Sequence, residues 1–165
     1  MYDFELDASL PAAERYRELT QMALALTEGE SDPIANMANI AALIAQTVPH
    51  LNWAGFYRTT GEGDGRELVL GPFIGKPACI RIAWGAGVCG TAAASGRTHR
   101  VEDVHAFAGH IACDAASRSE LVVPIVKDGV VAAVLDLDSP EPARFSIEDA
   151  AGFEALIEAI SERIA

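Results

Sequence analysis

The sequence predicts an α+β fold, an antiparallel sheet of about six strands with helices packed mainly on one face. Three observations lead there. Apolar residues recur at helical spacing near both ends of the chain. Short apolar and aromatic runs, separated by glycine-rich corners, fill the middle. With 165 residues, half of them hydrophobic and 22% charged, the chain can bury a core without metal or disulfide staples. It reads as one domain over 1–165, with helices over about 9–49, a sheet core over about 51–139 and a closing helix over about 146–164.

The elements follow in order. Ser9 is expected to cap a helix opened by Pro11, with Tyr16, Leu19, Met22, Ala23 and Leu26 on one face and Gly29 at its end. Asp32-Pro33 starts a second helix, because proline suits the first turn, where its missing N–H costs nothing. Ile34, Met37, Ile40, Ala41 and Ile44 form its apolar stripe. Strands are expected around Trp53, Phe56 and Tyr57, then over 67–73 and 79–84, with Cys79 opening the last of these. The corner 85–90 leads into a short helix, and a further strand begins near Thr98. A long irregular segment, 103–117, carries two histidines, a cysteine and a phenylalanine, which marks it as functional rather than disordered. The runs 121–126 and 130–137 form a hairpin, with Lys127-Asp128-Gly129 expected as a three-residue loop. Ser146 and Asp149 resemble a capping box that opens the last helix.

Acidic side chains outnumber basic ones 24 to 12, a formal charge of −12. Such a surface repels polyanions, so nucleic acid and anionic membranes are excluded as partners. The N-terminal residues have neither a basic nor an apolar signal region, and no apolar run approaches the roughly 20 residues of a membrane span. The expected compartment is the cytoplasm, where thiols stay reduced and a disulfide is catalytic more often than structural.

Three cysteines form no disulfide scaffold and no Cys-x-x-Cys pair. Cys79 reads as structural, and Cys89, where a helix begins, fits either packing or an activated thiol. Cys113 departs furthest from packing, in a polar loop beside Asp114 with His110 three residues earlier. His105, His110 and Cys113 have the chemistry of zinc ligands, yet no fourth ligand stands at a familiar spacing, so no metal is expected. A three-residue hairpin loop pairs Val126 with Val130 and Glu120 with Asp136, placing Glu120, Asp136 and Asp138 on one face. A plain two-residue turn would pair Glu120 with Leu137 and turn it away. Three such acids make either a cation-binding pocket or a cluster holding a proton. Trp53 and Tyr57 share one side of their strand.

Together, Asn52-Trp53-Ala54-Gly55-Phe56-Tyr57, Gly75-Lys76-Pro77-Ala78-Cys79, Gly87-Val88-Cys89-Gly90, Gly109-His110-Ile111-Ala112-Cys113-Asp114, Ser119-Glu120-Leu121 and Asp136-Leu137-Asp138-Ser139 resemble the free methionine-(R)-sulfoxide reductases, small enzymes built on a GAF domain. The resemblance runs from about residue 15 onward; Ile74 and Ala106-Phe107-Ala108 depart from the family pattern. It implies a GAF-like fold without a cofactor, Cys113 as nucleophile, and Cys79 as resolving cysteine with Cys89 as an alternative or second partner. It further implies that Glu120, Asp136 and Asp138 hold the substrate ammonium group and help protonate the sulfoxide oxygen, and that Trp53 and Tyr57 surround the S-methyl group. Thioredoxin is the implied reductant and free methionine-(R)-sulfoxide the implied substrate. Homodimers are common in that family, although no apolar stripe here demonstrates one. The competing class is a non-catalytic GAF module that binds a ligand or senses redox state.

Overall fold

The computed structural model describes residues 4–7, 9–107, 109 and 115–165. Its order is α1 (Ala12–Leu26), α2 (Pro33–Thr47), β1 (Trp53–Thr60), β2 (Glu67–Gly75), β3 (Arg81–Ala83), α3 (Gly87–Ser95), β4 (His99–Val101), β5 (Ser119–Lys127), β6 (Val130–Ser139) and α4 (Ile147–Ile164). One sheet runs β3-β2-β1-β6-β5-β4, every neighbouring pair antiparallel. The α+β expectation, the six strands and the order of elements all hold.

Strand alternation divides the interior into two layers. Ala54 and Phe56 of β1, Leu121, Val123 and Ile125 of β5, and Ala133, Leu135 and Leu137 of β6 face α1, α2 and α4. The opposite face carries Trp53, Tyr57, Val122 and Val134, covered by α3 through Val88, Cys89, Ala92 and Ala93. Three helices thus build the larger core, and the small α3 closes the other side.

Helix starts follow local chemistry. The Asp32 carboxylate accepts from the Ile34 and Ala35 N–H groups, with Pro33 in the first turn. At α4, Ser146 Oγ accepts from the Asp149 N–H, while Asp149 Oδ2 accepts from the Ser146 N–H, completing the expected box. Asp149 is buried, and its charge is balanced by the Arg144 guanidinium at 3.1 Å and the Tyr16 hydroxyl at 2.6 Å. Burial, followed by that carboxylate, raises the Tyr16 pKa.

Three local expectations are corrected. Pro11, with extended backbone, is the N-cap of α1, and Ser9, two residues too early, bonds to Asp7 through both its N–H and its hydroxyl. Cys79 does not open a strand: β3 spans only Arg81–Ala83, preceded by one bond from the Leu70 N–H to the Ile80 carbonyl, and the Cys79 carbonyl accepts from the Tyr57 hydroxyl instead of from β2. The hairpin has a two-residue turn, Lys127 pairing with Val130, since Asp128 (φ 51°) and Gly129 (φ 78°) supply the two left-handed residues of a type I′ turn. A bulge between Ile125 and Val126 then shifts the register by one, so Glu120 faces Asp138 and Val122 faces Asp136.

Gly152 is where α4 meets α1: an added Cβ there would lie 2.1 Å from Tyr16 Cγ, inside the ring. Gly152→Ala is expected to cost about 1–3 kcal/mol of stability by forcing the helices apart. Urea unfolding checks this; an unchanged midpoint contradicts the packing described.

Candidate active site

The α3 face holds a pocket whose walls include Trp53, Tyr57, Ala78, Cys89, Glu120, Asp136 and Asp138. Its aromatic wall is fixed on several sides. The Trp53 indole stacks on Phe73 (centroids 5.2 Å apart) and on Tyr57 (5.9 Å), and its N–H donates to the Lys76 carbonyl at 3.1 Å. Gly75, at φ 139°, lets the backbone pass the indole, where a Cβ would approach Trp53 Cδ1 to 2.5 Å. The Tyr57 hydroxyl donates to the Cys79 carbonyl at 3.1 Å, tying the segment that carries Cys79 to this wall.

The polar wall comes from β5 and β6. Glu120, Asp136 and Asp138 share the pocket face, as expected, although through a different pairing: a two-residue turn and a bulge together displace the register as far as a three-residue loop does in parity. Glu120 and Asp136 are each only 6% exposed, and Cys89, on the first turn of α3, only 4%. The Cys89 thiol lies 3.9 Å from Glu120 Oε1, and one ligand-capable atom from each of Cys89, Glu120 and Asp136 falls within 4.8 Å of the others. Asp136 Oδ1 is buried with no hydrogen-bond partner among the described residues.

This crowding sets the protonation. Burial, then the charges of Asp136 and Asp138, pushes the Glu120 carboxyl well above its ordinary value. Burial also raises Asp136, to about 6, while hydrogen bonds from Cys89, Glu120 and the Leu137 N–H hold it down. The Cys89 thiol is pushed up by burial first and by Asp136 and Glu120 next. The crowding thus favours a proton held between Glu120 and Asp136 and holds Cys89 toward its thiol form.

The structure thus gathers Trp53, Tyr57, Cys89, Glu120, Asp136 and Asp138, with Cys79 adjacent. Cys113 and His110 lie outside the described residues. The pocket also uses residues the sequence did not single out. Ser117, four positions from Cys113, lines it and accepts at its hydroxyl from the Asn52 amide at 3.0 Å. Ala86 and Gly87 form another side, signalled by the glycine-rich corner at 85–90 and, for Gly87, by the Gly87-Val88-Cys89-Gly90 motif.

The GAF domain family matches residues 35–165. Protein YtsP of Bacillus subtilis is 58% identical over 130 residues, 79% of this chain and 78% of that protein. The free methionine-R-sulfoxide reductase of Escherichia coli is 47% identical over 152 residues, covering 92% of this chain and 90% of the relative. Among solved structures, the free methionine-R-sulfoxide reductase of Neisseria meningitidis, in complex with its substrate, superimposes with a TM-score of 0.91 at 41% identity, covering 99% of this chain and 96% of that one.

The folded value of Asp136, about 6 against an ordinary 3.8, has a consequence for stability. A raised value means the folded state binds the proton more tightly, so this contribution is whole below about pH 4 and lost as pH rises through 6, on the order of 3 kcal/mol. Asp136→Asn is expected to flatten the fall in unfolding free energy between pH 4 and pH 7. Equal slopes in the two proteins contradict the assignment.

Proposed function

Because the chain belongs to the GAF-domain family of free methionine-R-sulfoxide reductases, we propose that it reduces free methionine-(R)-sulfoxide to methionine by cysteine chemistry recycled by thioredoxin. The observation that carries this reading is the convergence of Glu120, Asp136 and Asp138 with the Trp53–Tyr57 wall on one pocket. A free amino acid brings an ammonium group to the acids and an apolar S-methyl group to the aromatic rings. An internal residue of a protein has no such ammonium group, and leaving buried carboxylates without a cation costs several kcal/mol.

In the proposed reaction the Cys113 thiolate attacks the sulfoxide sulfur. Protonated Glu120 supplies the proton that the polarised oxygen needs as the S–O bond weakens. The oxygen leaves the substrate and ends on the enzyme sulfur: methionine is released, and the cysteine becomes a sulfenic acid. Condensation of that sulfenic acid with the Cys79 thiol expels water and forms a disulfide. Dithiol exchange with thioredoxin then restores both thiols. The burial and acidic surroundings of Cys89 keep it protonated and so a slow nucleophile, which favours Cys79 over Cys89 as the resolving thiol. Cys113 is assigned the nucleophile by the family motif, and it stands four residues from Ser117 in the pocket wall. The proposed setting is the cytoplasm, which keeps thioredoxin reduced.

The direct test is incubation with each methionine sulfoxide epimer, thioredoxin, thioredoxin reductase and NADPH. NADPH consumption with the R form alone is expected; none with either form leaves a ligand-binding module. Cys113→Ser should abolish even a single turnover, whereas Cys79→Ser should release about one equivalent of methionine per chain and then stop. Equal loss in both overturns the roles. KM should rise as pH falls below about 6, because Asp136 takes up a proton and gives up the charge that attracts the ammonium. A KM flat from pH 7 to pH 5 contradicts that part.

A further inference from the structure

Cys89 has no necessary part in the proposed reaction, yet it is held against two carboxylates. Its sulfur is 3.9 Å from Glu120 Oε1, and it shares a triangle with Glu120 and Asp136 in which no two ligand-capable atoms are more than 4.8 Å apart. All three side chains are more than nine-tenths buried, and all three line the pocket. Asp136 Oδ1 adds an independent sign, because a buried carboxylate oxygen with no hydrogen-bond partner among the described residues is costly unless something is drawn to it. An ammonium group satisfies that oxygen but has no use for a sulfur beside it.

We propose that Cys89, Glu120 and Asp136 form a binding site for a borderline-soft divalent cation of the zinc type, with its fourth position open to the pocket. Tetrahedral zinc bonded to sulfur at about 2.3 Å and to carboxylate oxygen at about 2.1 Å sets its S and O ligands roughly 3.6 Å apart. The observed 3.9 Å between Cys89 and Glu120 needs a movement of a few tenths of an ångström, and a separation at the 4.8 Å limit of the triangle needs roughly 1 Å. Cys89 sits on the first turn of α3 and the acids on neighbouring strands, so a side-chain adjustment closes the triangle without altering the sheet. The donor set selects among metals. Magnesium and calcium require six or more oxygens and no sulfur, whereas one thiolate with two carboxylates suits zinc or cobalt(II). On binding, the Cys89 thiol proton and the proton held between Glu120 and Asp136 both pass to solvent, and the metal takes their place. If the reading above holds, such an ion fills the space meant for the substrate ammonium, so the site makes the enzyme inhibitable by zinc.

The experiment is a titration of the reduced full-length protein with cobalt(II) alone under anaerobic conditions, so it does not depend on turnover. Expected are one equivalent bound, tetrahedral visible bands and a thiolate-to-cobalt charge-transfer band, all displaced by zinc. Cys79→Ser and Cys113→Ser should keep these spectra. Cys89→Ser should lose the charge-transfer band, and Asp136→Asn and Glu120→Gln should each weaken binding about 10-fold or more. No charge-transfer band in the wild type overturns the site, as does a band that survives Cys89→Ser or disappears in Cys113→Ser. If Cys89→Ser lacks a native circular dichroism spectrum, the carboxylate variants decide, and unchanged affinity in both overturns the proposal.

Discussion

The register of the β5–β6 hairpin is the constraint on which the site depends. A strand turns alternate residues to opposite faces, so a slip of one position would send Glu120 into the apolar layer under α1, α2 and α4 and leave Asp136 and Asp138 without it. The Asp128-Gly129 turn alone gives the wrong parity. The bulge at Ile125 and Val126 restores it, pairing Glu120 with Asp138. That one irregularity brings three acids to the face that α3 covers.

The two faces of the sheet then do different work. The α1–α2–α4 side is a closed apolar layer whose buried charge, Asp149, is matched by Arg144 and Tyr16. The α3 side leaves its acids under-compensated: burial, and at Glu120 repulsion by its neighbours, pushes Glu120 and Asp136 toward their protonated forms, Asp138 adds charge, and one Asp136 oxygen has no hydrogen bond among the described residues. A fold carries such an imbalance where a ligand is meant to relieve it. The imbalance underlies three features of the proposed reaction: recognition of a small cation, a proton source for the sulfoxide oxygen, and the preference for Cys79 over Cys89 as resolving thiol.

Much of this was legible in the sequence because local rules decided it. Asp32-Pro33 and the Ser146–Asp149 box marked two helix starts, and period-two alternation put Trp53 and Tyr57 on one common side of β1. The hairpin was read with the right face and the wrong pairing, since a bulge leaves no mark in composition. Ser9 was misread because a proline two residues on served as the cap itself. The start of β3 past Cys79 was not legible, because the Cys79 carbonyl is drawn to the Tyr57 hydroxyl, 22 residues away in sequence. The approach of Cys89 to Glu120 and Asp136 was not legible at all: residues 89, 120 and 136 belong to three elements, and only the packing of α3 on the sheet brings them together.

In the proposed function these carboxylates recognise the ammonium group of a free amino acid. The most direct test of that recognition compares kcat/KM for free methionine-(R)-sulfoxide with that for its N-acetyl derivative, which keeps the sulfoxide and the S-methyl group but carries no positive charge. A loss of about 100-fold or more is expected for the acetylated compound, from buried acids left unpaired. Comparable values for the two would contradict it.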